Sequence, residues 1–157
     1  GEEVARGGRD GPVLVRIGDE FRLEENQTGV FSDGWMGASA AYNRFEVSQD
    51  GPGLARVMLS RETFCPDDAR LPGLVRVRIG PIGVGADKQP TIERATGTET
   101  VYLPACGTRE IAFPAPEEPW RIEVTSQTFV PSEVDPSSSD RRTLGAVVGF
   151  DFVPTGG

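Results

Sequence analysis

Val75-Arg76-Val77-Arg78-Ile79 decides the fold class: β-branched apolar residues alternate with arginines, a period of two that gives a strand one buried and one wet face. The same period runs through Ile122 and Val124, interleaved with Arg121, Glu123 and Thr125. Leu144, Ala146, Val148, Phe150 and Phe152 share one parity near the end of the chain. Working outward, further strands are expected at residues 13–17, 20–23, 29–31, 38–45, 54–60, 100–103 and 108–113. Turn signals separate them: Ser32-Asp33-Gly34, Gln49-Asp50-Gly51-Pro52-Gly53, Cys65-Pro66-Asp67-Asp68, Leu71-Pro72-Gly73 and Pro114-Ala115-Pro116. About ten short strands at this spacing predict an all-β chain, an antiparallel two-sheet β-sandwich of jelly-roll type. The immunoglobulin alternative wants a tryptophan between its two cysteines, and neither Trp35 nor Trp120 lies there. Residues 131–139 read as a loop, and no helical stretch exceeds about two turns.

The 157 residues fit one domain, placed at residues 13–154 behind a flexible segment at residues 1–12. The opening GEEVARGGRD has no basic-then-apolar signal pattern and reads as a processed terminus. A net charge of -8 predicts a surface that repels nucleic acid and anionic lipid, so no nucleic-acid partner is expected. The longest apolar run, residues 145–150, is far short of the roughly 20 residues that cross a bilayer. There is no histidine. That excludes Ser-His-Asp hydrolysis, histidine-metal sites and cupin-type chemistry.

Cys65 and Cys106, about 40 residues apart and outside any metal-binding spacing, are expected either to form a disulfide in an oxidising compartment or to be buried thiols. No cofactor is expected, although the acidic pairs Glu24/Glu25, Asp67/Asp68 and Glu117/Glu118 offer oxygen ligands for a structural calcium ion. Solvated charge in turns is the preferred reading of these pairs. The Gly-rich stretch at residues 80–95 lacks a phosphate-loop pattern and reads as a strand with a surface turn. Asn26-Gln27-Thr28 matches a glycosylation triplet too common to carry weight.

Two stretches hold the candidate site. In Phe31-Ser32-Asp33-Gly34-Trp35-Met36-Gly37-Ala38 a tight turn delivers a large aromatic into a run of small residues. An indole face packs on the C–H face of a sugar ring while carboxylates accept hydrogen bonds from its hydroxyls. Trp35 with Asp33 is therefore a saccharide candidate, the alternative being that Trp35 caps the core. The second stretch, residues 128–145, passes through Asp140-Arg141-Arg142 just before the last strand. Asp140 and Arg142 either lock that corner as an ion pair or contact a ligand. Trp120 shares the inward parity of Ile122 and Val124, whereas Tyr42 and Tyr102 fall opposite Phe45 and Leu103 and are expected at the surface. Tyr42 is the second stacking candidate.

DGWMGASAAY (33–42) and FVPSEVDPSSSDRRTLGAVVGFDF (129–152), in that order, resemble the soluble C-terminal β-sandwich domain of bacterial multi-pass membrane glycosyltransferases, the arabinofuranosyl- and mannosyltransferase-like group. The resemblance implies a carbohydrate-binding-module-like domain on the extracytoplasmic side of the membrane, with a glycan as partner and with transferase chemistry elsewhere in a membrane-embedded parent. It implies that Asp33, Trp35, Asp140 and Arg142 mark the corresponding site positions. The expected function is thus a noncatalytic carbohydrate-binding or glycan-positioning domain. Two alternatives stand beside it: a structural, adhesive or self-assembling surface module, and a glycoside hydrolase or lyase using carboxylates drawn from Asp33, Glu123, Asp140 and Asp151.

Overall fold

A computed structural model of the chain describes residues 26–45, 52–66 and 70–155. The strands expected at residues 13–17 and 20–23, the segment 1–12, Glu24/Glu25 and Asp67/Asp68 lie outside them. The described elements, in chain order, are β1 (Gln27–Val30), β2 (Met36–Arg44), β3 (Gly53–Ser60), β4 (Leu74–Val84), β5 (Pro90–Ile92), β6 (Gly97–Tyr102), β7 (Thr108–Pro114), β8 (Trp120–Ser126), the single-turn helix α1 (Pro131–Val134) and β9 (Val147–Pro154).

All strand pairings are antiparallel, and the strands form two packed sheets, the β-sandwich that the alternation predicts. The larger runs β1-β2-β8-β4, with β6 beside the first half of β4 and β5 beside its end. The smaller runs β7-β3-β9. Three pairings nest around the β5 hairpin: β4 with β6, β3 with β7, and β2 with β8. This nested connectivity is that of a jelly roll, with β9 added on the free side of β3.

Each inner face is the apolar parity of its strands. Val75, Val77 and Ile79 of β4 and Trp120, Ile122 and Val124 of β8 are fully buried against Ala55, Val57 and Leu59 of β3 and Ile111, Phe113, Val148 and Phe150 of the facing sheet. Burying such side chains stabilises the fold by about 1.5–3 kcal/mol each. Trp120 joins this core, as its parity requires.

Tyr42 does too, contrary to the sequence expectation: it is 1% exposed and stacks on Phe150 with ring centroids 5.5 Å apart. Register supplies the reason. Tyr42 lies directly opposite Ile122, as Ala40 lies opposite Val124, and directly opposed residues share a face. The inward parity of β2 is therefore even, which turns Phe45 outward into solvent. Tyr102 is exposed and Leu103 buried, as expected. The Gly-rich stretch is strand and turn, as expected: the end of β4, a turn at residues 85–89 and the short strand β5. One local expectation is corrected: the loop at residues 131–139 opens with α1, which has Pro131 in its first turn, where a missing N–H costs nothing.

A second, smaller cluster fills the end of the sandwich beyond β9: Trp35, Leu71, Phe129 and Leu144, with Phe64 and Val147 packed against it. Trp35 meets Phe129 edge to face at 5.9 Å, and Phe64 stacks on Phe129 at 4.9 Å. Beneath this cluster lies Arg61, fully buried. Its Nε donates to the Gly145 carbonyl (2.7 Å), Nη1 to Leu103 (3.0 Å) and Nη2 to Gln127 (3.3 Å), while the guanidinium carbon sits 5.0 Å from the Phe129 ring centroid. One side chain thus ties together the chain segments after β3, β6 and β8 and before β9. Burial lowers its pKa from the ordinary arginine range. The Cys65–Cys106 disulfide, with Cα atoms 4.7 Å apart, staples the β3–β4 and β6–β7 connections beside it. A disulfide points to an oxidising compartment.

Candidate functional site

The two sequence blocks meet at one corner of the sandwich. Asp33 lies in the turn between β1 and β2, where Gly34 takes φ +93°, a left-handed value that a residue without Cβ adopts without strain. Asp33 Oδ1 accepts the Trp35 N–H (3.3 Å), and the Phe31 N–H donates to the Trp35 carbonyl (2.7 Å), so the turn closes on itself. Asp140 lies in the segment after α1, held by the Ser132 N–H donating to its carbonyl (2.8 Å), and its carboxylate accepts the backbone N–H of Arg142 (3.0 Å).

Arg142 then bridges the two carboxylates. Nε donates to both Asp140 oxygens (3.1 and 3.2 Å) and Nη2 donates to Asp140 Oδ2 (2.8 Å). Toward the other block, Nη2 donates to Asp33 Oδ2 (2.9 Å) and Nη1 to Asp33 Oδ1 (3.3 Å). Two forked pairs on one planar guanidinium fix its orientation. The Arg142 guanidinium holds both the Asp33 and the Asp140 carboxyls below the ordinary carboxylate range, and the two carboxylates raise Arg142 in return. Arg142 also lies over the ring of Phe31, 4.9 Å from its centroid. Phe31 is 44% exposed. The corner therefore offers solvent an aromatic ring beside two ionised carboxylates that share one cation, a net charge of about -1 with free acceptor lone pairs.

Of the sequence candidates, Asp33, Asp140 and Arg142 converge here, and Asp140 with Arg142 does lock the corner. Trp35 is not a platform. It is 9% exposed, swallowed by the second apolar cluster because its side chain points inward next to Phe129 while its backbone serves the Asp33 turn. Tyr42 is deep in the main core and away from this corner. Phe31, which opens the first block, supplies the exposed ring that sequence reasoning assigned to Trp35. The signal for it was present: an aromatic immediately before a Ser-Asp-Gly turn sits where the strand has ended.

The carboxylates considered for hydrolysis are all paired with arginine: Asp33 and Asp140 with Arg142, Glu123 with Arg78 and Arg121, Asp151 with Arg56. A general acid needs a raised pKa, and Asp33 and Asp140 move the other way. Among the described residues no group of three His, Cys, Asp or Glu side chains is placed to hold a metal ion. Of the acidic pairs, Glu117/Glu118 lies in the β7–β8 turn, where Glu118 reaches Arg94 at 3.8 Å. No helix among the described residues is long and apolar enough to cross a membrane. Comparisons with models of known families, with curated proteins and with solved structures found nothing that matches this chain.

Proposed function

We propose that this chain is a noncatalytic carbohydrate-binding module, acting on the extracytoplasmic side of the membrane as part of a cell-envelope glycosyltransferase, and that its saccharide contact is the corner of Phe31, Asp33, Asp140 and Arg142. One observation carries the reading: the two blocks on which the resemblance rests, 109 residues apart at Asp33 and Arg142, are joined by a forked ion pair beside an exposed aromatic ring. An exposed aromatic ring for sugar C–H groups and carboxylate oxygens for hydroxyls are the complementary chemistry. The disulfide supports the oxidising compartment. The ligand class is a neutral glycan, bound weakly, with Kd between about millimolar and micromolar because one ring and a few wet hydrogen bonds give only about 4–8 kcal/mol.

Calorimetric titration with arabinan, mannan and galactan fragments tests this. The expected result is saturable binding to one of them that Phe31→Ala removes while the thermal unfolding profile is retained. Absence of heat with every fragment at millimolar concentration sinks the proposal.

A second reading, a structural or self-assembling surface module, is favoured by the saturation of Arg142: its Nε, Nη1 and Nη2 atoms all donate within the corner. On that reading the ion-pair lock is the whole role of the two blocks, and no saccharide changes any property of the chain.

A further inference from the structure

The chain is acidic overall, yet three of its sixteen lysines and arginines stand together on the outer face of one sheet. On the outer face of the larger sheet, β4 presents Leu74, Arg76 and Arg78, β8 presents Arg121, Glu123 and Thr125, and β6 presents Thr98, Thr100 and Tyr102. Register places these in rows: Tyr102 opposite Leu74, Arg76 between Thr100 and Thr125, and Arg78 between Thr98 and Glu123. Glu99 lies opposite Val77 and so takes the other face. The strand residues of this face thus set three arginines against one carboxylate, in a chain of net charge -8. The outer face of the smaller sheet has the reverse balance, Arg56 between Glu110 and Asp151.

Glu123 serves both Arg78 (3.3 Å) and Arg121 (2.8 Å), while Arg76 makes no ion pair among the described residues and is exposed. At the end of the stripe Tyr102 is 49% exposed and Leu74 51%. The Tyr102 ring is held in place: its hydroxyl donates to the Leu71 carbonyl (3.4 Å), and Gly73 leaves it room, since a Cβ there would come within 3.0 Å of Cε1. Along β4 the residues of one face stand about 7 Å apart, so a fixed aromatic, an unpaired guanidinium and a half-paired guanidinium follow each other in a line flanked by threonine hydroxyls.

We infer that this face of β4, β6 and β8 binds a linear acidic polysaccharide, with a sugar ring on Tyr102 and uronate carboxylates on Arg76 and Arg78. Charge complementarity selects the anion, and a pre-oriented ring beside hydroxyls selects a saccharide over a bare polyanion. The surface is separate from the Phe31 corner and does not depend on it. Corner binding takes neutral glycans, and each surface fails or succeeds on its own probe.

The test is titration of the full chain with oligogalacturonate at low ionic strength, with fully methyl-esterified oligogalacturonate as the uncharged counterpart and polyphosphate as a second polyanion. Expected are salt-sensitive binding of the free-acid oligomer, binding of the ester weaker by roughly tenfold, and loss of roughly three- to tenfold on Arg76→Ser. Tyr102→Leu should weaken the oligomer and leave polyphosphate unaffected. No binding of the free acid, unchanged binding by Arg76→Ser, or polyphosphate bound as tightly as the oligomer would each overturn the assignment. Phe31→Ala decides between surfaces: uronate binding that survives it belongs to the strand face, and uronate binding lost with it overturns the strand-face assignment.

Discussion

Replacing Arg61 with methionine tests whether a buried cation can act as the clamp of this sandwich. Methionine keeps most of the apolar stem but removes every donor, leaving the carbonyls of Gly145, Leu103 and Gln127 without the partner they have now. An acceptor left unsatisfied in the interior costs about 1–3 kcal/mol. The Gln127 carbonyl keeps a partner, since the Ser126 hydroxyl also donates to it (2.7 Å); the low end applies to the other two, because a shortened side chain lets water reach part of the space, so together they cost about 2 kcal/mol. Loss of the guanidinium over Phe129 adds about 1 kcal/mol. The desolvation cost of burying a charge disappears at the same time and offsets part of this. The net expectation is a loss of about 2 kcal/mol, or a fall in Tm of about 4–8 °C for a chain of this length. Urea unfolding, read as a shift in midpoint at constant slope, measures it. Arg61→Lys should fall between, since one ammonium cannot reach three divergent carbonyls. A methionine variant within about 0.5 kcal/mol of the parent would refute the reasoning, because the carbonyls would then have found other partners and Arg61 would be a tolerated guest.

Trp35→Ala should cost about 3–5 kcal/mol, as a core truncation does; a variant of unchanged stability would return the indole to the surface. Cys65→Ser with Cys106→Ser opens a link spanning 41 residues and should lower stability by about 4 kcal/mol in the chain-entropy description, measured against the oxidised parent in the same urea titration. The corner carries a pH signature. Asp33 and Asp140 are depressed by Arg142, so their contribution is complete above the unfolded carboxyl range and is lost as pH falls below about 4. Asp33→Asn should flatten the acid limb of the Tm–pH profile, whereas an identical limb in the variant would mean the pair adds nothing.

Strand parity carried most of the architecture because a half-buried strand writes its orientation into every second residue. β4, β8 and the run ending in β9 were legible for that reason, and Trp120 with them. Parity gives alternation but not its sense where neighbours are ambiguous: Tyr42 in β2 and Phe45 just beyond its end are both apolar, and only the register against Ile122 tells which one faces in. β5 was hidden by glycines and Pro90, residues that usually punctuate a chain and here sit in a short edge pairing. The local half of the corner, Asp140 with Arg142, was readable from two residues' spacing. The other half, Asp33 on Arg142, was not, because no local pattern specifies a contact between residues 109 apart. Arg61 was signposted: it continues the inward parity of Ala55, Val57 and Leu59, but a charge at that position ordinarily marks where a strand leaves the core.

The nested pairing of β4/β6 inside β3/β7 inside β2/β8 has a consequence for how the chain reaches this state. Once the hairpin around β5 has closed, the ends of the next pair are already near one another, so each later closure spans a short effective loop in place of a long one. Assembly then proceeds from the middle of the chain toward its ends, and a mutation in β4 or β6 should slow folding while one in β1 or β9 should mainly hasten unfolding, a division that a chevron series across those strands would reveal.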